Sequence, residues 1–436
     1  MQIPDPRPVQ NIPKSANYKQ TELGIIPQEW NFGKLKDYVA KIGSGITPRG
    51  GSQVYLKEGI PLIRSQNVHF DGLKLNDVAY ISQEMHNEME NTKLRDNDVL
   101  LNITGASLGR CTFVPCNFGE GNVNQHVCII RPNPNLNAIF LSNFLSSYLG
   151  QKMIFRVPNG LSREGLTFKE IGLLPIFIPP IKEQEKVASI LSKVDELIKK
   201  TDQVIEQTQR LENGLMQRLL TRGIGHTKFK KTAVGEIPEE WKIVNLKDVC
   251  TKITDGVHKT PNYQDQGVPF ISVNNIRKGK LDFSDCKYIS HKDHRELIQR
   301  CFPQKGDILL GKVGTLGVAD MVSVDFEFSI FVQIALLKPD KNKIIPQYLK
   351  YILNSTELQE AIQKNASGTT LKYIGINKIS NLKVPLHSTS EQQKIVSILD
   401  STEKYAGIQV KMRLYLQDLK KGLIQKLLTG KIRVKV

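Results

Sequence analysis

Cys286, His291, His294 and Cys301 have the side-chain types of a zinc site and a loose version of its spacing. Residues about 208 positions earlier, Val78, Gln83, His86 and Lys93, are not a ligand set, so surface histidines and ordinary cysteines account for the group better. Glu240-Trp241-Lys242 offers the acid and lysine of a nuclease half-site, but the matching Glu29-Trp30-Asn31 has no lysine, which favours a structural turn. Gly311-Lys312-Val313 and Gly430-Lys431-Ile432 lack the hydroxyl residue and glycine spacing of a phosphate loop, and Gly119-Glu120-Gly121 is a lone G-x-G. Ile178-Pro179-Pro180-Ile181 lacks the polar residue that an amino-methyltransferase motif would need. No catalytic residue, metal or cofactor is therefore expected in this chain.

Polar and basic loops are the stronger signal. Phosphates are held by Lys, Arg or backbone N–H groups, and base edges are read by Arg, Asn, Gln, Ser or Thr. The first candidate loop carries Lys41, Ser44, Thr47 and Arg49, and its counterpart carries Lys252, Thr254, His258, Lys259 and Thr260. Arg64, Ser65, Gln66 and Asn67 follow a G-I-P turn, as Ser272, Asn274, Asn275 and Arg277 follow a G-V-P turn. Thr104, Ser107 and Arg110 match Lys312 and Thr315, and post-glycine loops bring Arg163 in one copy and Thr369, Thr370 and Lys372 in the other. A single such residue is as easily an ordinary solvated loop residue; equivalent sets in two places favour a binding face.

The chain has 436 residues, 40% of them apolar, and 60 Lys and Arg against 43 Asp and Glu leave a formal charge of +17, mostly from residue 231 onward. That excess points to an anionic partner without choosing between nucleic acid and a membrane surface. The longest apolar run, residues 171–181, is short for a membrane span and holds three prolines. Residues 1–20 hold four prolines and no apolar core of a secretory signal, so a cytoplasmic protein with an N-terminal arm is expected. Six cysteines without a C-x-x-C look like free thiols.

The elements that must position these loops come in two copies. Ile26-Pro27-Gln28-Glu29-Trp30 answers to Ile237-Pro238-Glu239-Glu240-Trp241, and Asp98-Val99-Leu100-Leu101 to Asp307-Ile308-Leu309-Leu310. Glu183-Gln184, Lys186 and Ser189-Ile190-Leu191 answer to Glu391-Gln392, Lys394 and Ser397-Ile398-Leu399; Gly214 to Thr221 answers to Gly422 to Thr429. Each copy reads as mixed α and β, an α+β class. Strands are predicted at 99–103, 126–130, 308–310 and 334–337, and single helices at 139–155 and 346–363. A short strand at 173–178 or 382–386 then leads into a long helix. From Val187 a heptad places Val187, Val194, Thr201, Thr208 and Leu215 at a, with Ile190, Leu197, Val204 and Leu211 at d. The second copy repeats the pattern through Ile395, Ile398, Tyr405, Met412, Leu416, Leu419 and Leu423, with polar Thr402 and Gln409 interposed. Two matched helices of roughly 60 Å are better explained by packing on each other than by lying separately on their own domains.

The order domain, long helix, domain, long helix, with paired I-P-x-E-W, E-Q-x-K-x-x-S-I-L and G-L-x-Q-x-L-L-T sequences, resembles the specificity subunits of type I restriction–modification systems from about Thr21 to Gly430. The resemblance implies an N-terminal arm (1–20), a first target recognition domain (21–180), a spacer helix (181–223), a linker (224–236), a second recognition domain (237–388), a second spacer helix (389–430) and a basic tail (431–436). The two domains would be held apart by an antiparallel coiled coil with pseudo-two-fold symmetry. It also implies double-stranded DNA, two methyltransferase subunits and restriction/translocase subunits as partners.

On this reading the chain is a non-catalytic scaffold that reads an asymmetric, bipartite DNA target and directs an adenine methyltransferase. S-adenosylmethionine, Mg²⁺ and ATP would belong to the partners. The helix ends repeated between the copies, represented by Glu183, Gln184, Lys186, Gln217, Glu391, Gln392, Lys394 and Gln425, are the expected docking surface. A protein-binding coiled-coil adaptor and a self-contained nuclease remain as alternatives.

Overall fold

The computed structural model describes residues 17–48, 50–156, 165–232, 234–258, 260–277, 280–369 and 371–435; of Ser52, Arg156 and Arg277 it describes the backbone alone. The chain forms two compact units, residues 1–202 with 411–436, and residues 203–410. The division falls inside both long helices, so each unit owns the start of one and the end of the other.

In the first unit, four antiparallel strands run in the order Cys111–Phe113, Val99–Asn102, Val127–Pro132, Val39–Ser44. Both faces are covered, which is why the two central strands read as continuous apolar runs. Leu101, Cys128 and Ile130 face the helices Ala138–Ser146 and Tyr148–Arg156, while Leu100, Val127 and Ile129 face a second sheet of Asn122–Val123, Ile60–Ile63 and Ala79–Ile81. The single helix predicted at 139–155 is broken at Ser147. Its hydroxyl accepts from Gly150 N at 3.1 Å, so it caps a new helix.

The second unit has the same plan: Cys250–Asp255, Ile334–Pro339, Ile308–Gly311, Ala319–Met321, with a second sheet of Tyr263–Gln264, Lys287–Ile289, Val268–Ile271 and Ser329–Ile330. Its predicted helix 346–363 is likewise two, Pro346–Leu353 and Thr356–Asn365, the latter capped by Ser355. The end of the arm, Tyr18–Thr21, pairs with Gly24–Pro27, and the linker segment Phe229–Thr232 pairs with Gly235–Pro238. The end of the expected N-terminal arm and part of the expected linker are therefore hairpin strands; residues 1–16 lie outside the described residues.

The long helices are Ile181–Arg222 and Thr389–Leu427. Within the first unit Asp195 pairs with Lys420 at 2.6 Å and Asp202 with Arg413, so these two segments run in opposite directions. Val187, Leu191, Leu427 and Leu428 are buried in that unit's core, and Leu219, Leu220, Ile395 and Leu399 in the other's. The predicted seam needs correction at its d positions. Val187, Val194 and Thr208 are buried, but Leu197 is 50% and Leu211 57% exposed, as are Ile398, Tyr405, Met412 and Leu419 in part. One helix partner covers a single stripe, and the apolar residues here spread over a wider arc than that.

Candidate nucleic-acid interface

The first polar cluster is built on a close backbone approach. A Cβ on Gly45 would lie 1.5 Å from Val123 O, so only glycine lets strand Val39–Ser44 turn against its neighbour. That turn carries Thr47 to Gln125, whose amide lies 3.3 Å from His126 Nε2; His126 Nδ1 in turn lies 2.6 Å from Thr104 Oγ1. Thr47 and Thr104, separated in sequence, thus share one polar surface. Gln125 and His126 complete it and were not singled out from the sequence. Their one signal was their place at the start of a predicted buried strand.

Asn102 joins a second loop to this surface by donating to Ser65 O at 2.8 Å. Gln66 donates to Asp77 Oδ2 at 2.7 Å, and the Arg64 guanidinium lies 5.5 Å from the Tyr55 ring centroid. Asn67 is 1% exposed. It accepts from Arg64 N and donates to Lys74 O and Asp77 O, so it braces the turn and cannot reach a base. Ser107 and Arg110 lie half-buried on the turn after Thr104. Lys41 and Ser44 are strand residues, and Lys41 Nζ turns to Asn91 O rather than toward Thr47.

The second unit builds its turn the same way at Gly256, where a Cβ would lie 2.2 Å from Ile330 O. Here the cluster is ionic. Asp255, 5% exposed, receives Lys312 Nζ at 2.5 Å and Arg300 Nη2 at 2.7 Å, with His258 at 3.5 Å. Burial opposes ionisation of Asp255, but the Lys312 and Arg300 cations outweigh it and hold the carboxyl below its ordinary value. Lys312 is consequently committed to Asp255, whereas a phosphate contact was expected of it. The Lys252 ammonium bonds Arg300 O, and Thr254 lies in the strand. Asn275, 5% exposed, braces its turn as Asn67 does, accepting from Ser272 N and donating to Asp282 O and Asp285 O. Asn274, Thr260, Thr315, Thr369 and Lys372 are exposed. The loop with Thr369 and Lys372 is closed by reciprocal Ser367–Tyr373 backbone bonds and set beside Lys312 by Ile374 N. Arg49, Arg163, Lys259, Thr370 and the Arg277 side chain lie outside the described residues.

His294 of the zinc-like group is 2% exposed, with its ring nitrogens 2.9 Å from Ser329 Oγ and 3.1 Å from Glu327. Among the described residues no three His, Cys, Asp or Glu side chains are grouped to hold a metal, and no helix is long and apolar enough to cross a membrane.

Half of the expected docking residues face inward. Glu183 accepts from Trp30 Nε1 at 3.0 Å and from Arg433 at 2.7 and 2.9 Å; Glu391 accepts from Trp241 Nε1 at 3.2 Å and Ile224 N at 2.9 Å and lies 2.9 Å from His226. Gln184 and Gln392, both 0% exposed, bond the backbone at Asn137 N and Ile345 N. These four tie each helix to its own domain. Lys186, Gln217, Lys394 and Gln425 are exposed.

A family model described as the type I restriction modification DNA specificity domain matches residues 27–207 and again 238–411. The type I restriction enzyme MjaVIII specificity subunit of Methanocaldococcus jannaschii is 25% identical over 430 residues, covering 97% of each chain. The EcoKI specificity subunit of Escherichia coli K12 is 22% identical over 416 residues, 88% of this chain and 84% of its own. A chain from a structure of type I R-M complex assembly and conformational transition superposes with a TM-score of 0.60 at 18% identity, covering 93% of this chain and 99% of that one. The S subunit from M. genitalium does so at 0.56 and 14%, covering 92% and 96%. The fold is shared with both.

Proposed function

The chain belongs to the specificity subunits of type I restriction–modification systems, and from that premise we propose that its two units each read one half of an asymmetric, bipartite DNA duplex for a partner adenine methyltransferase. The observation that carries this reading is the pair of polar clusters at corresponding turns of two sheets with one strand order: Thr47, Thr104 and Ser65 with Gln125 and His126, and the Asp255-centred cations with Thr315, Thr369 and Lys372. Because the side chains differ while the turns correspond, the half-sites differ in sequence. The long helices pair antiparallel along their buried a positions, a reading supported by the Asp195–Lys420 and Asp202–Arg413 pairs of the first unit, and their length sets the gap between half-sites.

The chain itself is non-catalytic, and methyltransferase and restriction subunits assemble on it. Exposed apolar residues on otherwise charged helices support docking there. In the first unit these include Leu197, Met412, Leu414, Tyr415 and Leu419, and in the second Leu211, Ile398, Tyr405, Ile408 and Val410. Exposed Lys186, Gln217, Lys394 and Gln425 form the polar rim.

The test is co-expression with the methyltransferase and mapping of N6-methyladenine across host DNA, with each recognition domain exchanged in turn. A two-part motif that changes in one half per exchange is expected. A methyltransferase that is active with another specificity subunit yet leaves no motif with this one would overturn the reading.

A further inference from the structure

A polar cleft of about 420 Å³ opens in the first unit, lined by Lys41, Lys93, Arg95, Arg131, Glu90 and Glu120. Its charges do not balance locally. Arg131 is neutralised by fully buried Asp98 through two contacts of 2.7 Å and Lys93 by Glu90 at 2.6 Å, while Glu120, exposed and 3.5 Å from the His86 imidazole, offsets one further cation, so the cleft keeps one net positive charge. Lys41 and Arg95 remain. The Lys41 ammonium meets only the neutral carbonyl of Asn91, at 2.5 Å, and Arg95 is exposed and forms no ion pair among the described residues. Lys41 stands opposite Arg131 in strand register. Burial, then the charges of Arg131 and Arg95, pull its pKa below the ordinary lysine value.

The second unit repeats this disposition with different residues. Lys252 stands opposite Lys338 in register; Lys338 is bound to buried Asp307 at 2.5 Å, and among the described residues Lys252 meets only a carbonyl, Arg300 O, at 2.7 Å. Asp98 and Asp307 each also accept a backbone N–H from three residues earlier, Arg95 N and Gln304 N, at 2.8 Å. Bracing the sheet end needs only the buried ion pair. A second cation held beside it adds repulsion unless an anion joins, and both units hold one.

We propose that the cleft is a phosphate-binding site in which Lys41 and Arg95 hold the oxyanion, with Lys252 in the equivalent role in the second unit. The phosphate comes from the DNA backbone or from a free polyphosphate; the first source rests on the DNA-recognition reading, the second does not.

The full chain and its variants Lys41→Met and Arg95→Gln are titrated with inorganic pyrophosphate by calorimetry. Their affinity for duplex DNA is measured in parallel from 50 to 200 mM salt. Arg95 is exposed and its backbone cap survives substitution, so that variant tests the site even if Lys41→Met fails to fold. Pyrophosphate binding weakened at least tenfold in the variants, with an unchanged salt slope, identifies a free polyphosphate. A log–log salt slope reduced by about 0.9 per variant identifies a DNA phosphate. If the protein binds no DNA at all, the recognition reading fails and pyrophosphate alone decides. Unchanged or absent pyrophosphate binding, without any change in slope, overturns the site.

Discussion

Replacing Arg433 by alanine should destabilise the first unit and leave the second unaffected. Glu183, whose side chain is 2% exposed, has three donors: Trp30 Nε1 and two nitrogens of Arg433. Losing Arg433 leaves a buried carboxylate with one neutral donor. Breaking a fully buried pair costs about 3–5 kcal/mol; the Arg433 side chain is 37% exposed, so the pair is only partly desolvated and roughly 2–3 kcal/mol is expected. For a unit of this size that corresponds to a fall in Tm of roughly 5–10 °C. The chain supplies its own reporters, because it has two tryptophans, Trp30 in the first unit and Trp241 in the second. Thermal unfolding followed by fluorescence in a Trp241→Phe background reports the first unit, and a Trp30→Phe background the second. Arg433→Ala compared within each background should lower only the Trp30 transition. An unmoved Trp30 transition, or an equal fall in both, refutes the assignment.

His387 stacks on Trp241 at 4.1 Å between centroids, and burial pushes its pKa down to about 4. The unfolded chain therefore takes up the proton first, so stability of the second unit is complete above about pH 6.5 and declines as pH falls toward 4, by on the order of 2–3 kcal/mol. Denaturant midpoints from Trp241 fluorescence should fall over that window, and His387→Gln should flatten the profile. Asn67→Ala removes three hydrogen bonds from a buried turn and Asn275→Ala four, and each should cost roughly 2–3 kcal/mol, seen in denaturant unfolding. Each should degrade one half of the methylation motif and spare the other. Tyr415→Glu, at a side chain 64% exposed, should weaken methyltransferase association at least tenfold on size-exclusion titration without moving either tryptophan transition.

Most secondary structure was legible because its signals are local. The buried strands around Leu100 and Leu309, and both long helices, sit within a few residues of where periodicity put them. The breaks at Ser147 and Ser355, missed in the single predicted helices, had a local signal too, a serine that caps the turn after it. The candidate interface was legible as loops and much less so as residues. Asn67 and Asn275 have the chemistry of base readers, yet both are consumed by their own turns; Lys312 has that of a phosphate contact, yet it answers Asp255, 57 residues away.

Length, charge and internal repetition determined that there are two similar mixed α/β copies, each followed by a long helix, with an excess of cations and no catalytic motif. Those properties depend on composition and on spacing along the chain. Tertiary structure decided which polar groups are spent. Glu183 lies 250 residues from Arg433 and Glu391 lies 150 from Trp241, so these pairings were invisible until the chain was folded. A hydrogen bond or ion pair is assigned by proximity in space, and a buried polar group must find one wherever the fold provides it.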